Sequence, residues 1–278
     1  MGKIIPRILD LELPPGLANR VVNQVVHLMN SIAAKAAQRI ITYTPDFADH
    51  SPFLRRYRSK VDTILPPVEL PACDPSAVDQ MAAKIEIGDR RPVIGMATRF
   101  ASEKGVESLL GALPRIMERH PETVVLFAGQ YQDVMGEQRY YDRLAPTIDD
   151  LRRRGHWHFL GTLTPAEMAA FYPNLDLLVV PSLNSTESFG LVQIEAMMNG
   201  VPVVASNLPG VRQPATITGM GLIAEIGDAD DLAAKILDVL DHQDRFAGDP
   251  EAVANRFTPD ACAASYEELF DSLRASST

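Results

Sequence analysis

Hydrophobic residues along this chain form short uninterrupted runs that are separated by stretches of helical periodicity. Four such runs lie at Val93 to Ala97, Val124 to Ala128, Leu177 to Val180 and Val201 to Ala205. Runs of this length without polar alternation are typical of strands buried on both faces of a parallel sheet. Between them, as in Lys104 to His120, apolar positions recur every three or four residues. The pattern predicts an α/β fold with a doubly wound parallel sheet.

The same reasoning predicts further elements along the chain. Further helices are expected at 17–38, Pro45 to Tyr57, through Tyr140 and Leu151, Pro165 to Tyr172, Asp231 to Leu240 and Pro259 to Leu273. Further strands are expected at Arg39 to Thr44, Val61 to Leu65, His156 to Leu160 and Gly221 to Glu225. Pro114 lies inside the predicted helix from Lys104, where it predicts a bend.

A proline-rich stretch divides the predicted elements into two groups. Residues 66–75 begin Pro-Pro-Val-Glu-Leu-Pro, a composition typical of an extended linker. We therefore predict a small α/β unit at 1–65, a linker at 66–75 and a larger α/β domain at 76–258. A closing helix is expected within 259–278.

Composition excludes several classes of protein. The chain has 278 residues, a formal net charge of −10 and 46% hydrophobic residues, which argues against binding nucleic acid through bulk charge. Its two cysteines, Cys73 and Cys262, lie far apart and have no metal-ligand spacing, so neither a disulfide framework nor a zinc site is indicated. The first residues lack an uninterrupted apolar segment, and no run of about 18 apolar residues occurs. We expect a cytoplasmic protein.

The segment 181–205 carries the clearest functional signal. It predicts a loop, a helix that opens at Gly190, a turn at Asn199-Gly200 and a strand. Glu187 lies in the loop and Glu195 lies more than a turn into the helix, so both can face one crevice. That crevice is predicted at the carboxyl edge of the parallel sheet, where open α/β sheets bind ligands.

The residues around these two glutamates resemble a known signature. The chain reads Thr-Glu-Ser-Phe-Gly-Leu-Val at 186–192 and Glu-Ala-Met-Met-Asn-Gly-Val-Pro-Val-Val-Ala at 195–205. This resembles the Glu-x7-Glu motif of retaining glycosyltransferases of family 4, also called glycosyl transferases group 1, which have the two-domain GT-B fold. The resemblance covers roughly residues 17–275. It implies retaining transfer of a sugar from a UDP-, GDP- or ADP-sugar. From the residues themselves we expect no metal or other cofactor.

Such a transfer needs positive groups to stabilise the departing diphosphate. Arg99 and Lys104 lie just beyond the first long strand and resemble the Arg and Lys that contact the diphosphate in this family. A guanidinium fork and a compact ammonium both suit phosphate oxygens. Lys104 as a mere helix-start residue is the alternative, but its charge would then oppose the helix dipole.

The helix that opens near Gly190 is the second expected phosphate contact, because helix N-termini offer amide groups and a positive dipole. In the resemblance, amides of the loop contact the sugar and diphosphate, and this loop corresponds to Ser188, Phe189, Gly190 and Leu191. The first glutamate then lies beside the donor sugar and the second accepts hydrogen bonds from the ribose. These roles would fall to Glu187 and Glu195. Without the resemblance, both could be ordinary acids, one at a helix start and one on a solvated helix face.

Two further positions are assigned to the nucleotide base by the resemblance. Gly129 and Leu163 follow neighbouring predicted strands, where relatives hold the base partly through backbone groups.

Asp228-Ala229-Asp230 resembles a metal-binding Asp-x-Asp motif in isolation. Because it precedes a periodic helix, we interpret it as an N-cap with first-turn acids.

The front of the chain departs from the family pattern. Residues 1–65 resemble only the rear part of the N-terminal acceptor-binding domain, without the opening strand and glycine-rich loop. The expectation is therefore an N-terminally truncated chain, or one whose partner supplies the rest. Two alternative functions remain open at this point. One is a donor-binding module without catalysis, and the other is a GT-B-like sugar-nucleotide epimerase.

The acceptor is not indicated by any residue, although relatives suggest a lipid-linked molecule or a carbohydrate. A small basic cluster at Arg55, Arg56, Arg58 and Lys60 adds a secondary hypothesis of peripheral membrane contact. Most such clusters are solvated faces. No nucleic-acid partner is expected.

Overall fold

The computed structural model describes residues 4–6, 17–85 and 87–275, and these residues contain two parallel sheets. The first sheet has the order β1-β2-β3 and is built from Ile4–Pro6, Arg39–Thr42 and Val61–Thr63. Helices α1 (Leu17–Ala36) and α2 (Pro45–His50) accompany it. We call residues 4–6 and 17–65 the front lobe. Its core is small and includes Ile40, Phe53 and Val61, each less than 9% exposed.

The second sheet contains six parallel strands in the order β6-β5-β4-β7-β8-β9. The strands are β4 Val93–Ala97, β5 Val124–Ala128, β6 Trp157–Gly161, β7 Leu177–Val180, β8 Val203–Ser206 and β9 Gly221–Ala224. The helices are α3 Pro75–Ile85, α4 Val106–Arg119, α5 Gln138–Arg153, α6 Pro165–Phe171, α7 Leu191–Met198, α8 Gln213–Thr218, α9 Ala229–Asp241, α10 Gln243–Phe246, α11 Pro250–Arg256 and α12 Pro259–Ala275. We call residues 75–275 the main lobe. The fold class predicted from the apolar runs is confirmed.

Helices cover both faces of this sheet, which explains why its strands lack polar alternation. One core includes residues of α4, α5 and α9, and a second core on the other face includes residues of α6, α7 and α11. Every residue of β5 is buried, as is every residue of β7. The four buried runs named above therefore lie where the sequence predicted them, with small changes at the ends.

Strand order reverses at the centre of the six-stranded sheet. From β4 the chain moves outward through β5 to β6, then returns to pair β7 with β4 and continues to β8 and β9. The loops that leave β4 and β7 consequently diverge at their carboxyl ends and leave a crevice between them. This topological switch point is where doubly wound sheets bind ligands.

Some predicted elements differ from the structure. The helix expected over Pro45 to Tyr57 is wrong, because α2 ends at His50 and a 3₁₀ helix follows at Leu54–Lys60. Pro52 accounts for the break, since the residue before a proline is pushed out of helical geometry, and Ser51 has ψ 117°. Lys104 does not begin a helix either. It ends a 3₁₀ turn, Ser102–Lys104, and α4 begins at Val106.

Other elements were not predicted at all. They are β1, α3, α8, α10 and α11. Each has 11 residues or fewer, and most have too few apolar positions to show a period. Helix α4 is one continuous element through Pro114, where the sequence predicted a bend.

Candidate functional site

The crevice at the switch point is formed by the loops after β4 and β7. Ala97 and Thr98 line it from one side, and Pro181 and Ser182 line it from the other. A backbone hydrogen bond from the Leu183 N–H to the Glu103 carbonyl, 2.8 Å long, joins the two loops. The space that remains between them is about 20 Å³, which is enough for about one water molecule.

A pair of oppositely charged side chains closes this crevice. The Lys104 ammonium lies 2.8 Å from Oε2 of Glu187, and the two side chains are only 15% and 24% exposed. The other carboxylate oxygen of Glu187 accepts a hydrogen bond from the Gly190 N–H at 3.1 Å. Glu187 thus occupies both a cation and a backbone amide that would otherwise suit an anion. A diphosphate that enters the crevice would compete for these two donors.

The loop between Glu187 and α7 presents backbone to this crevice. Gly190 is the N-cap of α7 and has φ +77°, a left-handed conformation that favours glycine. The Phe189 ring is 1% exposed and Ser188 is also buried, whereas Leu191 is 40% exposed. The side chain of Phe189 therefore anchors the loop in the core, and Phe189 can contact a ligand only through its backbone.

Glu195 lies in the second turn of α7 and is partly buried. Its Oε2 accepts a hydrogen bond from the Tyr172 hydroxyl at 2.5 Å. Burial raises the pKa of Glu195 above its ordinary value, and the hydrogen bond from Tyr172 opposes this shift only in part. Burial followed by the Glu195 charge likewise raises the pKa of Tyr172. A carboxylate held in this way is costly and is therefore more consistent with ligand binding than with a solvated helix face.

Arg99 lies in the loop after β4 but does not join the Lys104–Glu187 pair. Its guanidinium forms a salt bridge with Glu103, and its side chain is 59% exposed. The structure thus brings Lys104 and Glu187 together and leaves Arg99 on the rim.

Gly129 and Leu163 lie at the ends of β5 and β6. A Cβ atom at Gly129 would lie 1.9 Å from the Thr98 carbonyl oxygen, so glycine is required for the loop after β5 to pack against the loop after β4. Leu163 lines a separate cavity of about 320 Å³ between α3, β6 and α6, whose lining includes Met81 and Glu167. The structure therefore places Gly129 beside the crevice and Leu163 in a different pocket from the Lys104–Glu187 pair.

Sequence reasoning missed Tyr172, because only the fold shows that the end of α6 meets α7. The only local signal is Tyr172-Pro173 at a helix end, which is weak.

Asp228 does cap α9, as predicted, since its Oδ1 accepts from the Asp230 and Asp231 N–H groups. Among the described residues, no group of three or more His, Cys, Asp or Glu side chains is placed to hold a metal ion. Across the same residues, no helix has the length and apolarity needed to span a bilayer.

Known structures share this architecture. The crystal structure of Anabaena HepE in complex with UDP matches 97% of this chain and 72% of its own chain, with a TM-score of 0.76 and 20% identity. Sucrose-phosphate synthase from Thermosynechococcus elongatus matches 91% of this chain and 62% of its own chain, with a TM-score of 0.74 and 24% identity. At these identities the likeness shows the fold alone. The fold is the α/β GT-B type of glycosyltransferases.

Sequence comparison defines the family more closely. Residues 78–254 match the family described as glycosyl transferases group 1. The phosphatidyl-myo-inositol mannosyltransferase of Mycolicibacterium smegmatis is 33% identical over 57% of this chain and 38% of its own length. The D-inositol 3-phosphate glycosyltransferase of Corynebacterium jeikeium is 31% identical over 71% of this chain and 47% of its own length. The chain thus spans less than half the length of these curated relatives. It belongs to the glycosyl transferases group 1 family.

Proposed function

We propose that this chain is a retaining glycosyltransferase of family 4 that binds a nucleotide-sugar donor and transfers its sugar to an acceptor. The observation that carries this proposal is the Lys104–Glu187 pair at the switch point, 2.8 Å apart, beside the N-terminus of α7. An ammonium and helix-terminal amides are the groups that stabilise a leaving diphosphate. Family membership supports the assignment, since the two glutamates have the spacing of the family motif.

Each residue has a distinct proposed role. Lys104 and the amides from Ser188 to Leu191 bind the diphosphate, with Arg99 added from the rim. Glu187 lies beside the donor sugar once Lys104 has turned to the phosphates. Glu195 accepts hydrogen bonds from the ribose hydroxyls, a role for which a buried carboxylate is well suited. Gly129 and Leu163 contact the base through their backbone.

The names of the relatives support a donor that is a nucleoside-diphosphate sugar. HepE was solved with UDP-glucose, and one relative from Corynebacterium glutamicum is a GDP-mannose-dependent mannosyltransferase. Relatives also suggest the acceptor class, because phosphatidylinositol and inositol phosphate occur in their names. We propose an acceptor that is lipid-linked or a carbohydrate. Division of the chain into an acceptor-side unit at 1–65, a linker at 66–75 and a donor domain at 76–258 is part of the same proposal.

Calorimetric titration with UDP, GDP and ADP tests the donor site. We expect one nucleotide to bind, and we expect Lys104→Ala and Glu195→Gln each to weaken it about tenfold, the loss of about one charged hydrogen bond. Lys235→Ala is the matched control, because Lys235 pairs with Asp231 on α9. Equal loss in the control, or no binding by a folded wild-type chain, would contradict the assignment. Transfer of labelled sugar from the donor to an added acceptor then distinguishes a catalytically active chain from one that only binds the donor.

Peripheral contact with an anionic membrane is a second part of the proposal. Helix α1 exposes apolar side chains at Val25, Leu28, Met29 and Ile32, each 50% exposed or more. Arg55 and Arg56 are also exposed, whereas Lys60 donates to the carbonyl groups of Ala34, Lys35 and Ala37 at the end of α1. Such a combination of apolar and basic groups suits a lipid surface.

Cosedimentation with anionic vesicles checks this contact. Leu28→Asp and the double variant Arg55→Gln/Arg56→Gln are each expected to reduce binding, and neutral vesicles should bind less in all cases. Lys60 is left intact because it caps α1. Wild-type protein that stays in the supernatant with anionic vesicles would end this part of the proposal.

A further inference from the structure

The front lobe forms hydrogen bonds with the loop that follows β8 in the main lobe. Asp46, in the first turn of α2, accepts three hydrogen bonds from this loop. Its Oδ2 accepts from the Gly210 N–H at 2.9 Å and from the Arg212 Nε at 2.9 Å, and its Oδ1 accepts from the Arg212 Nη2 at 2.5 Å. A bidentate pair between a guanidinium and a carboxylate fixes direction as well as distance. The contact therefore sets where Gly210 and Arg212 lie relative to α2.

Gly210 in turn lies against the loop that contains Glu187. It has φ +83°, and a Cβ atom there would lie 2.1 Å from the Ser188 carbonyl oxygen and 3.3 Å from Cβ of Phe47. Only glycine allows both the left-handed conformation and this approach. The loop after β8 is thus packed between α2 of the front lobe and the backbone at Ser188.

A buried glutamine ties the same two loops together. Gln193, which is 0% exposed, donates from Nε2 to the carbonyl oxygens of Phe189 and Val211, both at 2.9 Å. One side-chain amide therefore joins the loop before α7 to the loop after β8. Because the group is fully buried, neither hydrogen bond has water as a ready substitute.

A second contact from the front lobe reaches Phe189 directly. The Tyr43 ring packs edge-on against the Phe189 ring with centroids 5.8 Å apart, and Phe189 also packs against Phe257 at 6.0 Å. Tyr43 follows β2, so both ends of this contact lie close to the carboxyl edges of their sheets. The front lobe thus meets the loop before α7 by a ring contact and by the hydrogen bonds of Asp46.

We infer that Asp46 is a positioning residue for the loop Glu187 to Gly190, although it lies in the other lobe. Asp46 holds Gly210 and Arg212, Gly210 abuts Ser188, and Gln193 links Val211 to Phe189. Docking of the front lobe consequently aligns the backbone amides and the carboxylate of this loop with Lys104. The inference rests on the proposed function only in treating this loop as the donor-binding loop. In this inference Asp46 itself does not contact the donor.

Amide hydrogen exchange measured by mass spectrometry tests this inference in the intact chain, without ligand. Asp46→Asn preserves size but turns an amide N–H₂ group toward the Arg212 guanidinium. We expect exchange in peptides covering 186–193 and 207–213 to become about tenfold faster, while peptides from α4 keep the wild-type rate. The matched control is Asp49→Asn on the same helix, because Asp49 pairs with Arg58 at 2.6 Å within the front lobe.

A second readout distinguishes positioning from a general loss of structure. Affinity for the preferred nucleoside diphosphate should fall about fivefold in Asp46→Asn, with affinity for the corresponding nucleoside unchanged, because in the proposed function the loop contacts only the phosphates and the donor sugar, not the ribose or the base. Arg212→Gln should have the same effect, and the double variant should be no worse than either single variant.

Two results would overturn the inference. One is exchange at 186–193 in Asp46→Asn that equals the Asp49→Asn control, and the other is equal acceleration throughout the main lobe. A wild-type chain that binds no nucleotide would remove the proposed function alone, since the exchange rates still decide whether Asp46 positions the loop.

Discussion

Lys104 Nζ lies 2.8 Å from Glu187 Oε2 across the switch point, so the loops after β4 and β7 are joined by opposite charges at the place where their strands diverge. Both side chains are mostly buried, which strengthens their attraction relative to an exposed pair. The carboxylate also holds the Gly190 N–H. Glu187 therefore occupies both the ammonium of Lys104 and the Gly190 N–H group of the crevice.

This competition makes a directional prediction for Glu187→Gln. Removing the carboxylate charge frees Lys104 and removes repulsion of the diphosphate, so the variant should bind the nucleoside diphosphate about fivefold more tightly, on the order of 1 kcal/mol. Calorimetric titration beside wild type measures the change. Weaker binding, similar to that of Lys104→Ala, would show that Glu187 does not compete for the lysine.

We expect the buried carboxylate of Glu195 to lower the stability of the folded chain at pH 7 although it contributes to the proposed ligand binding. Burial raises its pKa in the folded chain, so the folded state binds a proton more tightly than the unfolded state, and wild type loses stability as pH rises through that pKa. Glu195→Gln removes this cost and still accepts from Tyr172, and we expect it to be at least as stable as wild type at pH 7. Urea unfolding at pH 4 and pH 7 checks this, with the variant's advantage larger at pH 7. A variant less stable than wild type at pH 7 would show that the buried charge of Glu195 does not lower the stability of the chain.

Tyr172→Phe should have the opposite effect on stability. It removes the hydrogen bond that the Tyr172 hydroxyl donates to a partly buried carboxylate, which should cost about 1–2 kcal/mol in the free energy of unfolding at pH 7. Because that hydrogen bond lowers the pKa of Glu195, the pKa should rise further in the variant. Tyr57→Phe in the front lobe is the control. A Tyr172→Phe chain as stable as this control would indicate that the hydrogen bond contributes nothing.

The contact between Asp46 and Arg212 predicts a loss of stability in acid. Burial alone would raise the pKa of Asp46, but the hydrogen bonds from Arg212 and Gly210 outweigh it and hold the pKa below the ordinary 3.8. A lowered pKa means that the contribution is complete above the ordinary value and is lost as pH falls through the folded value. We expect Asp46→Asn to cost about 2 kcal/mol at pH 7 and progressively less below pH 4. A pH-independent difference in the free energy of unfolding would contradict this.

Local pattern was sufficient for the centre of the fold. The strands β4, β5, β7 and β8 are buried on both faces, and for such strands the apolar run is the signal itself. Prediction from the local pattern failed at Pro52, where the proline ended a helix that the apolar periodicity would have continued. It also failed for short helices such as α8, which depend on contacts with the rest of the fold. The motif around Glu187 and Glu195 likewise located the loop and α7 from sequence alone.

Contacts between distant segments were beyond the sequence. Tyr172 and Glu195 are 23 positions apart, and Asp46 and Arg212 are 166 apart, so no local spacing links them. Arg99 was expected to act together with Lys104, which lies close to it in the sequence. In the structure its guanidinium forms a salt bridge with Glu103 instead. Which groups a side chain meets depends on loop geometry that periodicity does not encode.

Whether the switch-point crevice binds a diphosphate, as proposed, can be decided by comparing wild type with one variant. Wild type and Lys104→Ala are titrated with the preferred nucleoside diphosphate and with the corresponding nucleoside. We expect the substitution to weaken binding of the diphosphate about tenfold or more and to leave binding of the nucleoside unchanged, because the proposed contact of Lys104 is to phosphate only. Equal affinities of the two proteins for the diphosphate would contradict it.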